Sequence, residues 1–265
     1  MNLLKKRAAT TAGAIGIGLL TASAANALTL KVEIENLQNP NGLSLTPFLS
    51  VFHDGGYDLF DVGGSASAGL EAIAEEGNTS VETAQINNDG SAVAVNTIAS
   101  PDGPPVFLPG QSASLRFDVG DVVNLFFSYA SMVIPSNDLF VGNSNPTARQ
   151  VITDGVFNAL TFDIGIDRIY DGGTEENNNL GAAFNPNGGT ATDTDNPIAL
   201  LSALGQDVTT LLGGQPTLAG FVVDGGAINP ELARISISVV PVPAALPLGL
   251  SAFALLGLVA RRRIA

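Results

Sequence analysis

Short runs that alternate apolar with polar residues, separated by clusters of Asn, Asp, Gly and Pro, constrain this chain more than any other feature. Leu30-Lys31-Val32-Glu33-Ile34-Glu35 alternates apolar with charged residues. Thr161-Phe162-Asp163-Ile164-Gly165-Ile166 and Arg234-Ile235-Ser236-Ile237-Ser238-Val239 repeat the pattern. Successive side chains of a strand point to opposite faces, so a period of two marks a strand buried on one side. Residues 48–52 and 93–98 are further strand candidates. Residues 122–134 are almost uniformly apolar, as expected of a central strand covered on both faces. Asn39-Pro40-Asn41-Gly42, Asp54-Gly55-Gly56, Asn88-Asp89-Gly90 and Pro101-Asp102-Gly103-Pro104-Pro105 punctuate these runs with turn-forming residues. The pattern predicts an all-β fold, an antiparallel β-sandwich with one or two short helices. Ser67 can cap a helix over 70–76, and Gly77 can end it. Residues 198–212 are the second helix candidate. The Asn-, Gly- and Thr-rich stretch 175–197 has little to bury and reads as a long surface loop.

The two ends read as addresses rather than fold. Residues 1–27 carry Lys5-Lys6-Arg7, then an apolar small-residue stretch, then Ala25-Asn26-Ala27, the layout of a secretory signal peptide. Residues 241–265 form the third segment. Val240-Pro241-Val242-Pro243 precedes an apolar run over 244–260, and Arg261-Arg262-Arg263 follows. That run is at the short limit for crossing a bilayer, and the arginines would stay cytoplasmic. The tail resembles a PEP-CTERM-type sorting signal of the Val-Pro-Leu-Pro-Ala variety. The resemblance implies a Gram-negative source and cleavage by an exosortase-like processing enzyme. An ordinary permanent membrane anchor is the alternative. Residues 28–240 are then one exported domain.

Charge and composition narrow the chemistry. The chain of 265 residues has a net charge of −14. Its terminal basic clusters hide a more acidic body, where Lys31, Arg116, Arg149, Arg168 and Arg234 face all 25 acidic residues, leaving about −20. Such a body repels phosphate backbones and attracts cations, so no nucleic-acid partner is expected. There is no Cys, which removes zinc-finger, iron–sulfur, thiol-catalytic and disulfide-scaffold readings. His53 is the one imidazole, with no second His to complete a zinc or iron site, and it reads as structural. Neither a Gly-x-Ser-x-Gly elbow nor a phosphate-binding glycine loop with Lys occurs.

Two stretches resemble a known family. The first is His53-Asp54-Gly55-Gly56-Tyr57-Asp58-Leu59-Phe60-Asp61-Val62-Gly63, followed by Ala66-Ser67-Ala68-Gly69-Leu70-Glu71 and Ala74-Glu75-Glu76-Gly77. The second is Met132-Val133-Ile134-Pro135-Ser136-Asn137-Asp138-Leu139-Phe140, followed by Tyr170-Asp171-Gly172-Gly173-Thr174-Glu175. Together they resemble the spondin N-terminal domain carried by F-spondin, mindin and many bacterial secreted proteins. The resemblance spans roughly 28–240 and is strongest over 50–77 and 124–176. It implies a C2-like β-sandwich holding one Ca2+. Asp138, Asp171 and Glu175 match the family's metal ligands, with Glu at a position where the family has Asp. The cysteines and tryptophans of the animal domains are absent.

The residues themselves suit that expectation. Calcium takes hard oxygen ligands on backbone loose enough to wrap it, and Asp171-Gly172-Gly173-Thr174-Glu175 offers two carboxylates, two glycines and a hydroxyl. An EF-hand is excluded, because Glu176 stands where that loop needs Gly. On the residues alone, Asp171 also reads as a turn residue and Glu175 as a solvated charge. The expected function is a calcium-binding, non-enzymatic module at the cell surface or in the extracellular matrix. Its expected partners are extracellular polysaccharide or surface proteins. The alternative is a secreted carbohydrate-active hydrolase using paired carboxylates.

Overall fold

The computed structural model describes residues 28–241. The signal-peptide and sorting-signal segments therefore lie outside the described residues, apart from Pro241. Among the described residues no helix is long and apolar enough to cross a membrane.

In chain order the strands begin with β1 (Leu28–Asn36), β2 (Ser44–Leu45) and β3 (Phe48–His53). Two helices follow, α1 (Ala68–Glu76) and α2 (Ser80–Asp89). Then come β4 (Ala94–Ile98), β5 (Ser112–Gly120), β6 (Leu125–Ile134), β7 (Leu139–Gly142), β8 (Gln150–Thr153), β9 (Val156–Phe157), β10 (Leu160–Gly165) and β11 (Ile169–Asp171). The chain finishes with β12 (Ala199–Leu200), α3 (Val208–Leu212) and β13 (Glu231–Val239). One sheet has four strands in the order β10-β13-β1-β5. The other follows the path β12-β11-β7-β6-β3-β4, with β2 and β8 also on β6 and β9 on β8. Every paired ladder is antiparallel.

The sequence periods explain which sheet is which. In β1 the even residues Leu30, Val32 and Ile34 are fully buried, while Lys31, Glu33 and Glu35 face outward. This sheet covers its apolar face and leaves the other to solvent. Arg234 of β13 lies opposite Asp163 of β10, and its guanidinium donates to both carboxylate oxygens at 2.7 and 2.8 Å. The inner layer joins those β1 side chains to Phe48, Phe52, Phe117, Phe127 and Ile235.

The second sheet has no solvated face over its centre. All six residues of β3 are buried, as are nine of the ten in β6. Its inner face meets the four-stranded sheet. Its outer face is roofed by α1, α2 and the segment before them, which bring Tyr57, Phe60, Leu70, Ile73 and Ile86 onto Leu49, Val51, Ala130, Phe140 and Tyr170. Strand β6 is buried on both sides for that reason, as its composition predicts, whereas Val123, earlier in the same apolar run, is exposed.

The helices differ from the sequence reading in number. Three short α-helices form among the described residues, not one or two. In α1, Ser67 Oγ accepts from the Leu70 amide at 3.1 Å, and Gly77, at φ 66°, closes the C-terminus. A side chain at Gly77 would also collide with Thr46, whose Cγ2 lies 2.4 Å from an added Cβ. The second helix, α2, gives little signal because only Glu82 and Ile86 are buried along it. The segment 198–212 does not form a continuous helix. It divides into β12, a 3-10 turn over Leu201–Leu204 and α3. Gly205 turns left-handed at φ 73°, and Asp207 starts α3 by accepting from the Thr209 and Thr210 amides.

Candidate metal centre

Two strands bring the candidate ligands together. Asp138 sits in the turn between β6 and β7, immediately before β7 begins. Asp171 ends β11 and lies opposite Leu139 in the β7–β11 ladder. The Gly172 amide then donates to the Asp138 carbonyl at 3.1 Å. Sheet register thus places the two aspartates side by side, although 33 positions separate Asp138 and Asp171 in the sequence. Gly172 fits between this turn and the helical roof, since an added Cβ would lie 3.2 Å from the Asp138 carbonyl and 3.6 Å from Ala74 Cβ of α1.

The loop after β11 wraps one oxygen of Asp138. Its Oδ2 accepts from the Thr174 amide at 2.9 Å, the Thr174 hydroxyl at 3.3 Å and the Glu175 amide at 3.1 Å. The other oxygen, Oδ1, is buried and has no hydrogen-bond partner. The neighbouring Asn137 repeats this imbalance. Its Nδ2 donates to Glu175 Oε2 at 3.0 Å and to the Leu180 carbonyl at 2.6 Å, whereas its Oδ1 is buried without a partner. Buried oxygens without donors are costly, so two in one turn call for a further group. Asp171 Oδ1 accepts from the Gly173 amide at 2.7 Å, and its Oδ2 accepts from Asn177 Nδ2.

Glu175 is placed differently. Its amide reaches Asp138, but its carboxylate is held by Asn137 and its backbone bridges to Asp193. Among the described residues no three acidic or imidazole side chains stand close enough to hold an ion in their present rotamers. The long loop 175–197 contributes to the site instead of projecting away from it. Thr194 donates through its amide to the Thr174 carbonyl at 2.7 Å and through its hydroxyl to the Gly173 carbonyl at 2.7 Å, and the Asn196 amide also reaches the Gly173 carbonyl. An open cleft of about 460 Å³ lies here, lined by Asp171, Glu175, Asn177, Thr194 and Asn196 among others.

Burial and mutual repulsion raise the carboxyls of this cluster. Burial pushes the Asp138 carboxyl from 3.8 up to about 6, with the charge of Asp171 adding to the rise and the loop hydrogen bonds opposing it. Glu175 is likewise raised by burial and by Asp193. Glu75, near the end of α1, is pushed up to about 7 by burial and by the charges of Glu175, Glu71 and Asp138, against a hydrogen bond with Thr174. The sequence reading missed Glu75 as a member of this group. Its motif Ala74-Glu75-Glu76-Gly77 was visible, but only the packing of α1 over β6 and β7 brings it to the acidic loop.

His53 has the structural place its isolation suggested. It is fully buried, its Nδ1 accepts from the Gly55 amide at 3.1 Å, and its Nε2 lies 3.0 Å from Ser128 Oγ. Burial lowers its pKa, which keeps the ring neutral. The paired-carboxylate hydrolase reading finds no support among the described residues.

The described residues thus form a two-sheet antiparallel sandwich with an acidic loop cluster at one end and short helices roofing one sheet. The family model for Spondin_N matches residues 38–185, more than half of the chain, and the chain belongs to that family. The match includes every residue of the acidic cluster up to Glu175. No curated protein matches the chain. Membership is compatible with an extracellular location.

Proposed function

We propose that residues 28–240 act as an exported, non-enzymatic module that binds one Ca2+ through Asp138, Asp171 and Glu175 and mediates adhesion at the cell surface or in the matrix. One observation carries the metal assignment: Asp138 Oδ1 is a buried carboxylate oxygen with no donor, beside Asp171 and the equally unpartnered Asn137 Oδ1. The available donors are all hard oxygens, which suits calcium over softer metals. Asp138 and Asp171, brought together at the β7–β11 ladder, would share the ion. Glu175 would exchange its Asn137 hydrogen bond for the metal, and Glu75 supplies a further carboxylate on the helical side. Bound there, the ion supplies positive charge that neutralises this cluster. The residues do the structural work of tying the β6–β7 turn, the end of β11 and the 175–197 loop into one rigid end of the sandwich.

The partners under this reading are extracellular polysaccharide or surface proteins, and an exosortase-like enzyme removes the tail. Thermal unfolding with excess calcium and with chelator tests the metal: the melting temperature rises with calcium in the wild type but not in Asp171→Ala. Retention on matrix polysaccharide without released product tests the non-enzymatic role. Turnover abolished by a single carboxylate substitution would instead establish the hydrolase. Intact mass of the surface protein tests the tail, since retention of Arg261-Arg262-Arg263 would mean a permanent anchor.

A further inference from the structure

A second cleft, of about 490 Å³, opens between the two sheets and, unlike the acidic site, mixes arginines with carboxylates. That volume falls in the size class of small-molecule sites, roughly 300–1,000 Å³. Arg149 and Arg168 line it, together with Asn143, Ser144, Asn145, Tyr129 and Tyr170. Two of the five basic residues of a body carrying 25 acidic ones therefore share one cleft. A third, Arg234, lies at its edge, where it neutralises the lining residue Asp163.

Arg149 is built into the cleft wall. Its guanidinium carbon sits 4.0 Å from the centre of the Phe162 ring, and its carbonyl accepts from the Phe127 amide at 2.9 Å. Phe162 belongs to β10 and Phe127 to β6, so this one residue spans the two sheets. Among the described residues no carboxylate pairs with it, and its Nε is buried without an acceptor. Arginine in such a setting is a preorganised fork for a carboxylate. Arg168 is only loosely held, by its neighbour Asp167 at 3.6 Å, and most of it is exposed.

The remaining lining groups both donate and accept. Asn143 is fixed by the Tyr129 amide, which donates to its Oδ1 at 3.0 Å, and by its own bonds to Ser128 and to the Asn145 carbonyl. Ser144 Oγ lies 3.2 Å from the Tyr170 hydroxyl. Asp167 and Glu231 complete the rim. These rim carboxylates accept hydroxyls and repel any second negative charge on a ligand.

We infer that this cleft binds a single uronate unit, a sugar carboxylate held by Arg149 and Arg168 with its hydroxyls on Asn143, Ser144, Tyr170 and the rim. The inference rests on the reading of the chain as an exported module that contacts polysaccharide, and it names the sugar class. Asp167 and Glu231 at the rim disfavour a ligand with several negative charges, such as an extended polyphosphate.

Calorimetric titration of the purified exported protein with glucuronate and with galacturonate tests the site, with galactose and acetate as controls. It is run in excess calcium and again in chelator, so that failure of this cleft is distinguishable from failure of the metal site. Expected is saturable binding of both uronates, weakened about tenfold or more in Arg149→Gln and also weakened in Arg168→Gln. Arg168 is exposed, so its substitution leaves folding intact and keeps the test valid if Arg149→Gln unfolds. Galactose should not bind. Equal affinity for acetate and uronate would overturn the saccharide class, as would equal affinity for galactose and uronate. Absence of uronate binding in a protein that still gains stability from calcium would overturn this cleft and leave the metal reading standing.

Discussion

Replacing Asp138 by Asn should reverse the usual sign of a core substitution. The side chain is fully buried and nearly isosteric with Asn, so packing is retained. Without metal, Asp138 holds its charge at a cost. Its carboxyl rises from 3.8 to about 6, which corresponds to an upper bound on the order of 3 kcal/mol of unfavourable environment at neutral pH. Asn removes that charge and keeps one oxygen for the Thr174 and Glu175 amides, at the cost of weaker acceptor strength. In chelator at pH 7.5, Asp138→Asn should therefore be as stable as the wild type or more so, by up to about 2 kcal/mol. Calcium reverses the order. An ion binding only the folded wild type adds about 2.7 kcal/mol at one hundred times Kd, and the variant should gain little of this. Urea denaturation with and without calcium, followed by far-UV circular dichroism, measures both quantities. Loss of several kcal/mol by the variant in chelator would show that Asp138 is an ordinary satisfied carboxylate. Equal calcium stabilisation of wild type and variant would show that any ion binds elsewhere.

Other outcomes follow from the same structure. In chelator, stability should fall as pH rises from about 4 to about 7. Asp138 (3.8 to about 6) and Glu75 (4.5 to about 7) have raised folded-state values, so the folded state binds more protons than the unfolded state across that window. Calcium should flatten this dependence, which melting curves across the pH range would show. Gly69→Ala should destabilise by about 1–3 kcal/mol, because the added Cβ would fall 1.9 Å from Glu82 Oε2 between α1 and α2. An unchanged melting temperature would mean that the two helices separate easily. Phe127→Ala, at the centre of the inter-sheet layer, should cost about 3–5 kcal/mol by chemical denaturation. Asp121→Ala, on an exposed turn, should leave calcium stabilisation intact. Asp193 is unsuitable as such a control because its backbone bridges to Glu175.

The strands were legible wherever one physical pattern ruled them. β1, β10 and β13 alternate because one face meets the core, and β6 is almost uniformly apolar because helices roof what would otherwise be its wet face. Strand β5 also alternates, yet its polar Ser112-Ala113-Ser114 start hid it until β1 supplied a partner. Helix α2 was hidden because Asn-rich surface positions outnumber its two buried ones. At the candidate site, Asp138, Asp171 and Glu175 came from motif resemblance, and the sheet register explains why the first two adjoin. Glu75 and Asp193 depend on tertiary packing alone. So does the arginine cleft, since neither Arg149 nor Arg168 carries a local signal.

Calorimetric titration of calcium into the purified, metal-free protein decides whether Asp138 and Asp171 hold an ion. One ion per chain is expected, weakened strongly in Asp171→Ala and Asp138→Asn, retained in Asp121→Ala, and tighter at pH 7.5 than at pH 5. Binding of no ion at millimolar calcium, or binding unchanged by both aspartate substitutions, would contradict that assignment.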